Sequence, residues 1–439
     1  MTRLLSTCLS VLAAALLMGA LPGTALAADI PTDRPITLDE AVNIALGGHP
    51  RIKGAEQDVE AARQGARIAE SAYWPQFSFD VSRNYIFSAR QVRFGGTNSL
   101  TKAHYIANNF TFNGNWTLFD FGRTYYSVKS LDEVENSLIK TLDSTSQSVA
   151  YDVMDAYFAL LKAQSLVKVS EETLEAAKSH LKQAQAFYEV GVKPRFDVTQ
   201  AEVEVNSAAV AIIQANDAVR SARATLNTRL GADPLTPTTV VEQPMVEELK
   251  KPMEDYFREA VANRPDIQAL EAQVRSSEAS VKAVWSGHLP TVSAGAALNW
   301  YDEDHTEPQE NHNVQLALAL PIFEGFRTEA RVGQARANAL SMKYKLDDTK
   351  LSVQSQVSQA YIAVEDARAR FSALESSVNK ARENLEIAQG RYEAGVGPLI
   401  EVTDARVSLT KAQTDLAQAV YDYHSAYTSL LRSVGKGVK

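Results

Sequence analysis

Residues 188–194 read Tyr188-Glu189-Val190-Gly191-Val192-Lys193-Pro194, and the pattern returns at 392–398 as Tyr392-Glu393-Ala394-Gly395-Val396-Gly397-Pro398. The same 204-residue offset carries Phe119 to Phe323, Arg123 to Arg327, Ala156-Tyr157 to Ala360-Tyr361, Val198-Thr199 to Val402-Thr403 and Gly231 to Gly435. More than a hundred residues align without a gap, which marks a duplicated half-molecule rather than a short solenoid unit. Upstream the offset is 215, pairing Pro50 with Pro265 and Pro75 with Pro290, so the first half is 11 residues longer between Pro75 and Phe119. The expected organisation is a first repeat at 28–231, built of helix, strand hairpin and long helical hairpin. A connector at 232–252 follows, marked by Pro234, Pro237, Pro244 and Pro252, and then a second repeat at 253–439.

Each repeated turn joins two helices. From Arg123 to Glu189 there is no glycine or proline, and an apolar stripe runs through Leu138, Leu142, Val149, Val153, Tyr157 and Leu161. Sixty-seven residues at about 1.5 Å each make a rod of roughly 100 Å, and Arg327 to Glu393 matches it. Pro194 and Pro398 fall in the first turn of the returning helices, where proline is tolerated. Those helices run to Gly231 and Gly435, roughly 55 Å. The segments His49 to Trp74 and Arg264 to His288 nearly make up the difference. Stacked end to end with the returning helices, they give a cylinder of even height. Thr37 and Glu40 form a capping box for a helix over Ile36 to Trp74, which His49-Pro50 interrupts.

Between these helices the period changes to two. Phe77, Phe79, Val81, Tyr85 and Phe87 alternate with Ser78, Asp80, Ser82, Asn84 and Ser88. After a polar loop, Phe110, Phe112, Trp116 and Leu118 alternate with Asn109, Thr111, Asn113 and Thr117. In the second half Val292, Ala294, Ala296, Leu298 and Trp300 share one face, and Val314, Leu316, Leu318 and Leu320 make the returning strand. A soluble hairpin has the same alternation. The strand lengths match the ~9–11 residues of a membrane strand, and aromatics crowd the ends. Four strands cannot close a membrane barrel, because the smallest have about eight, so the chain must oligomerise. Two chains would give eight strands and three would give twelve; the residues alone do not choose.

Composition narrows the rest. The 439 residues carry a net charge of −9, which argues against a general nucleic-acid partner. Arg3, the apolar run Leu9–Leu21 and Ala25-Leu26-Ala27 predict a signal peptide over 1–27, and the one cysteine, Cys8, falls inside it. Beyond it no run reaches the ~18 apolar residues of a membrane helix. No nucleophile motif, phosphate-cradling loop or dinucleotide fingerprint is present, so no catalytic residue and no cofactor are expected. His305 and His312 lack metal-ligand spacing, and no metal is expected. The strand-connecting loops differ in sign. Arg90, Arg93 and Lys102 lie in the first, and Asp302, Glu303, Asp304, Glu307 and Glu310 in the second.

The start Ile36-Thr37-Leu38-Asp39-Glu40-Ala41-Val42, the corners Leu118-Phe119-Asp120-Phe121-Gly122 and Pro321-Ile322-Phe323-Glu324-Gly325, and the paired Tyr-Glu-x-Gly-Val turns together resemble the TolC family of outer-membrane efflux proteins. The resemblance spans the whole chain beyond the leader. It implies an α+β membrane protein in which a long α-helical barrel continues a transmembrane β-barrel, four strands per chain, closed as a 12-stranded homotrimer. It implies the outer membrane of a Gram-negative bacterium, contact with its lipid, and a tunnel into the periplasm. The partners implied are a periplasmic adaptor (membrane fusion protein) and an inner-membrane ABC or RND transporter, in type I secretion or multidrug efflux.

Position by position, the resemblance places adaptor contacts at Gly191, Val192, Gly395 and Val396. Glu401 and Asp404 match acids that ring the periplasmic constriction, although carboxylates near a helix start are favoured by the dipole in any case. In a trimer they become six, a concentration of negative charge expected to attract cations. Tyr392 and Asp197 match a polar latch at the tip. The family's basic latch partner is replaced here by Gly397, leaving Lys193 or Arg195 to supply the charge from the other turn. The competing reading, a soluble periplasmic coiled-coil or adaptor protein, fits the helices but not four amphipathic strands with aromatic ends.

Overall fold

A computed structural model describes residues 30–94, 97–244, 249, 251–303 and 309–436, and side chains within these except at 88–94, 97–105 and 303. The expected leader at 1–27 with Cys8, the loop residues Asp304, His305 and Glu307, and the side chains of Arg90, Arg93, Lys102 and Glu303 lie outside this description.

The elements are α1 (Leu38–Gly48), α2 (Pro50–Glu70), β1 (Gln76–Phe94), β2 (Thr97–Phe119), α3 (Arg123–Glu189), α4 (Arg195–Leu230), α5 (Met253–Asn263), α6 (Pro265–Trp285), β3 (Thr291–Glu303), β4 (Gln309–Ala319), α7 (Arg327–Glu393) and α8 (Leu399–Val434). The long helices α3 and α7 are 67 residues each, and the returning helices α4 and α8 are 36 each. The shorter pairs match too, at 11 residues for α1 and α5 and 21 for α2 and α6. His49 and Arg264, each preceding a proline, are extended and divide these pairs. Thr37 and Glu40 form the expected capping box. Arg34 and the Thr37 N–H hold the Glu40 carboxyl down at about 2.

The chain makes two compact units. The first combines residues up to Pro50 with Asp152–Gln243. Here a parallel bridge joins Ile36 to Val240, and the buried Tyr157 hydroxyl reaches the carbonyls of Ile36 (3.0 Å) and Val241 (2.7 Å). Buried Asn227 donates to the carbonyls of Pro234 (3.1 Å) and Thr236 (2.8 Å), so the connector's backbone is satisfied without regular structure.

The second unit combines Arg51–Tyr151 with the residues from Pro244 on. Its helical core packs Tyr256, Ile267, Val353, Val357, Val364, Tyr423, Leu430 and Val434, which come from α5, α6, α7 and α8. Arg264 grips Asp266 through two bonds (3.0 and 2.7 Å) and donates to the Ser433 carbonyl (3.0 Å). Burial pushes the Asp266 carboxyl up, but Arg264 and the Ile267 N–H outweigh it and hold it below its ordinary value.

The sheet of this unit is antiparallel, in the order β1-β2-β3-β4. The first hairpin corrects the sequence reading. The region expected as a polar loop is paired strand, with register running from Ser88↔Ala103 to Phe94↔Thr97. The inner residues fix the register, so backbone pairing extends outward whatever the side chains are.

Candidate functional site

The alternation read from sequence becomes two chemically distinct sheet faces. Pairing aligns Phe79, Phe112 and Leu298 in one row and Val81, Phe110 and Trp300 in the next, all on the apolar face. The other face aligns Asp80, Thr111, Asn299 and Asn311, then Ser78, Asn113, Ala297 and Asn313. Asp80 accepts hydrogen bonds there from Ser78 and Asn113, both at 3.1 Å. From Phe110 to Leu118 the apolar face runs about 27 Å along β2, the length of a membrane strand. Beyond Trp300 the face turns mixed: Arg83, Asn108 and Asp302 align, Tyr85 and Ile106 pair in the next row, and β4 turns from Val314 to His312 and Glu310.

At the other limit are two strand-to-helix corners. Phe121 (φ +52°) and Phe326 (φ +62°) occupy the left-handed region that bulky residues avoid. Phe121 packs on Phe119 at 4.6 Å and Phe326 on Phe323 at 5.5 Å, forming aromatic pairs at the edge of the apolar band. Asp120 caps α3 by accepting from the Thr124 N–H (2.8 Å) and hydroxyl (2.5 Å). Glu324 accepts from the Thr328 hydroxyl (2.5 Å) at the start of α7.

The repeated motifs form helical turns, one in each unit. In the first unit Gly191 has φ +74°, and the N–H groups of Val192 and Lys193 donate to the Phe187 carbonyl (2.9 and 3.3 Å). Val190, Val192 and Phe196 are exposed, Lys193 is half-buried and Arg195 opens α4 on the surface. Asp197 is buried. In the second unit Gly395 also has φ +74°, and Val396 and Gly397 both donate to the Arg391 carbonyl at 3.0 Å. Val396 and Ile400 are exposed and Tyr392 is buried, unlike its first-repeat counterpart Tyr188.

The acids Glu401 and Asp404 lie in the first two turns of α8. Asp404 is exposed. Glu401 is engaged by Arg391, whose Nε and Nη2 donate to its two carboxylate oxygens at 3.0 and 3.4 Å. Sequence reasoning missed Arg391 because it sought the base at the Gly397 position. The available signal was the repeat alignment, which sets Arg391 opposite Phe187.

The sequence matches the family profile described as outer membrane efflux protein over residues 41–232 and 257–436. The chain belongs to the outer membrane efflux protein family. That is a family of transport channels of the outer membrane, and this efflux protein carries its membrane-facing surface on β1–β4. Among the described residues no helix is long and apolar enough to cross a membrane. The efflux protein is 25% identical over 436 residues to the outer membrane efflux protein BepC of Brucella suis, covering 98% of this chain and 91% of that one. It is 24% identical over 399 residues to the alkaline protease secretion protein AprF of Pseudomonas aeruginosa, covering 89% and 82%. Among solved structures it is similar to the outer-membrane channel OprN, with TM-score 0.79, 21% identity, and coverage of 95% and 98%.

Proposed function

We propose that three copies of this efflux protein close one twelve-stranded barrel, continue it as a helical tunnel into the periplasm, and export small molecules, proteins or both. The observation that carries this reading is a four-stranded sheet with one apolar face and open edges at β1 and β4. Hydrocarbon offers no water to satisfy those edges, so copies must pair them. Two copies would bring eight strands, and a barrel of that size is filled by its own side chains. Three leave a lumen, lined by the asparagine-, serine- and threonine-rich face that carries Asp80.

The two turns, with Val190, Val192, Val396 and Ile400 exposed, suit a protein partner, which we take to be the periplasmic adaptor. An inner-membrane ABC or RND transporter supplies the energy, since this sequence has no nucleotide-binding motif. The relatives' names, one an efflux protein and one a protease secretion protein, support both kinds of cargo. The protein acts by conduction and catalyses no reaction. Glu401 and Asp404 form the periplasmic constriction, with Tyr392, Asp197, Lys193 and Arg195 at the latch. The residues 28–231 and 253–439 are two repeats of one fold joined by 232–252.

Fractionation and planar-bilayer recording test the proposal. The protein is expected to leave the outer membrane only with detergent and to give stepwise ion conductance on reconstitution. Recovery as a soluble periplasmic protein without conductance, the behaviour of an adaptor, contradicts it.

A further inference from the structure

We infer that Arg391 is a positioning residue that cancels the charge of Glu401 inside its own turn, leaving Asp404 as the group that draws cations to the constriction. The inference rests on the constriction reading above and revises its charge.

Three observations build it. First, the pair is two-pronged, with Arg391 Nε at 3.0 Å from Glu401 Oε2 and Nη2 at 3.4 Å from Oε1. Second, the backbone prepares it. The Arg391 carbonyl accepts from both Val396 and Gly397, which brings residue 391 beside the start of α8 although Glu401 is ten positions later. Third, Gly397 keeps the path open. A Cβ there would lie 3.0 Å from the Arg391 Cβ, 3.2 Å from Glu401 Oε2 and 3.3 Å from the Arg391 carbonyl carbon. Glycine and the ion pair are therefore one arrangement, and the first repeat, with Phe187 and Lys193 at these positions, lacks it.

As a stabilising contact the pair counts for little, because both side chains are partly exposed. As a charge arrangement it matters. Glu401 and Arg391 sum to zero, and among the described residues no ion pair engages Asp404, so of these two acids each chain presents one uncompensated carboxylate and a trimer presents three such charges rather than six. Removing Arg391 restores all six. For a trivalent cation about 8 Å from the added charges, screened at physiological salt, that is worth at least about tenfold in affinity.

The test is half-block of the reconstituted full-length channel by hexaamminecobalt(III) in planar bilayers. Arg391→Gln is expected to tighten block at least about tenfold, whereas Arg391→Lys stays within about twofold of the parent. Glu401→Gln weakens block because it exposes the Arg391 charge. The double variant Arg391→Gln/Glu401→Gln returns to within about twofold of the parent, because a silent pair has been removed whole. Asp404→Asn weakens block in every background. Block that ignores Arg391→Gln, or a double variant as weak as Glu401→Gln alone, overturns the inference while leaving the constriction in place. A conducting channel that the cation does not block in any variant overturns both.

Discussion

At Gly191 and at Gly395 the backbone follows one path. Both glycines sit at φ +74°, and both turns fold two N–H groups back onto a single carbonyl before a proline starts the next helix. The side chains hung on that path differ. The first turn has Phe187, Lys193 and a buried Asp197; the second has Arg391, Gly397 and the paired Glu401. The cation sits not in the turn itself but at the end of the preceding helix, where it reaches a carboxylate past a position, 397, that carries no Cβ. A left-handed glycine and a helix-starting proline are enough to hold the shape of such a turn. Its electrostatics are then free to diverge between duplicated halves.

The same contrast holds where the returning helices end, and there it is expected to have the largest effect. A Cβ on Gly231 would meet the Pro50 Cδ at an ordinary 3.4 Å, but on Gly435 it would lie 2.9 Å from the Arg264 Cα and 3.2 Å from its backbone nitrogen. Both glycines have positive φ, so Gly231→Ala is expected to cost about 1–2 kcal/mol. Gly435→Ala adds overpacking against backbone that cannot yield, for a total of about 2–4 kcal/mol. The ranking of their thermal midpoints in detergent checks this, and equal midpoints break the comparison.

Copying the first turn into the second comes next. Gly397→Lys brings in both a Cβ and a cation, and cation block is expected to weaken by about tenfold or more. Gly397→Ala brings the Cβ alone and crowds Arg391 away from Glu401. Block should then tighten by about threefold, in the direction of Arg391→Gln but short of it.

The smallest effect is expected from acid. Asp266 is held below its ordinary value in the folded chain, so its contribution is complete above the unfolded carboxylate range near 4 and is lost as pH falls through the lower folded value. The Arg264–Asp266 grip is therefore expected to loosen only below about pH 4, and Asp266→Asn to flatten the thermal midpoint against pH there.

The periodic and repeated parts of this fold were legible in the sequence. Helix ends at Gly231 and Gly435, the break at His49-Pro50, and the two-faced strands all follow from local residue chemistry. What was not legible depends on distant pairing. The extension of β1 and β2 through residues 88–105 comes from register propagated along the backbone, which side-chain polarity does not report. The Arg391–Glu401 pair joins residues on opposite sides of a turn, and alignment to a family's basic position pointed to Gly397 instead. The chemistry was in view, but the geometry that joins it was not.

In the proposed assembly the four strands of each chain close by sharing one barrel among three copies. Native mass measurement of the detergent-extracted assembly tests it most directly. A single dominant species of three chains is expected, and a dominant dimer or monomer contradicts the shared barrel.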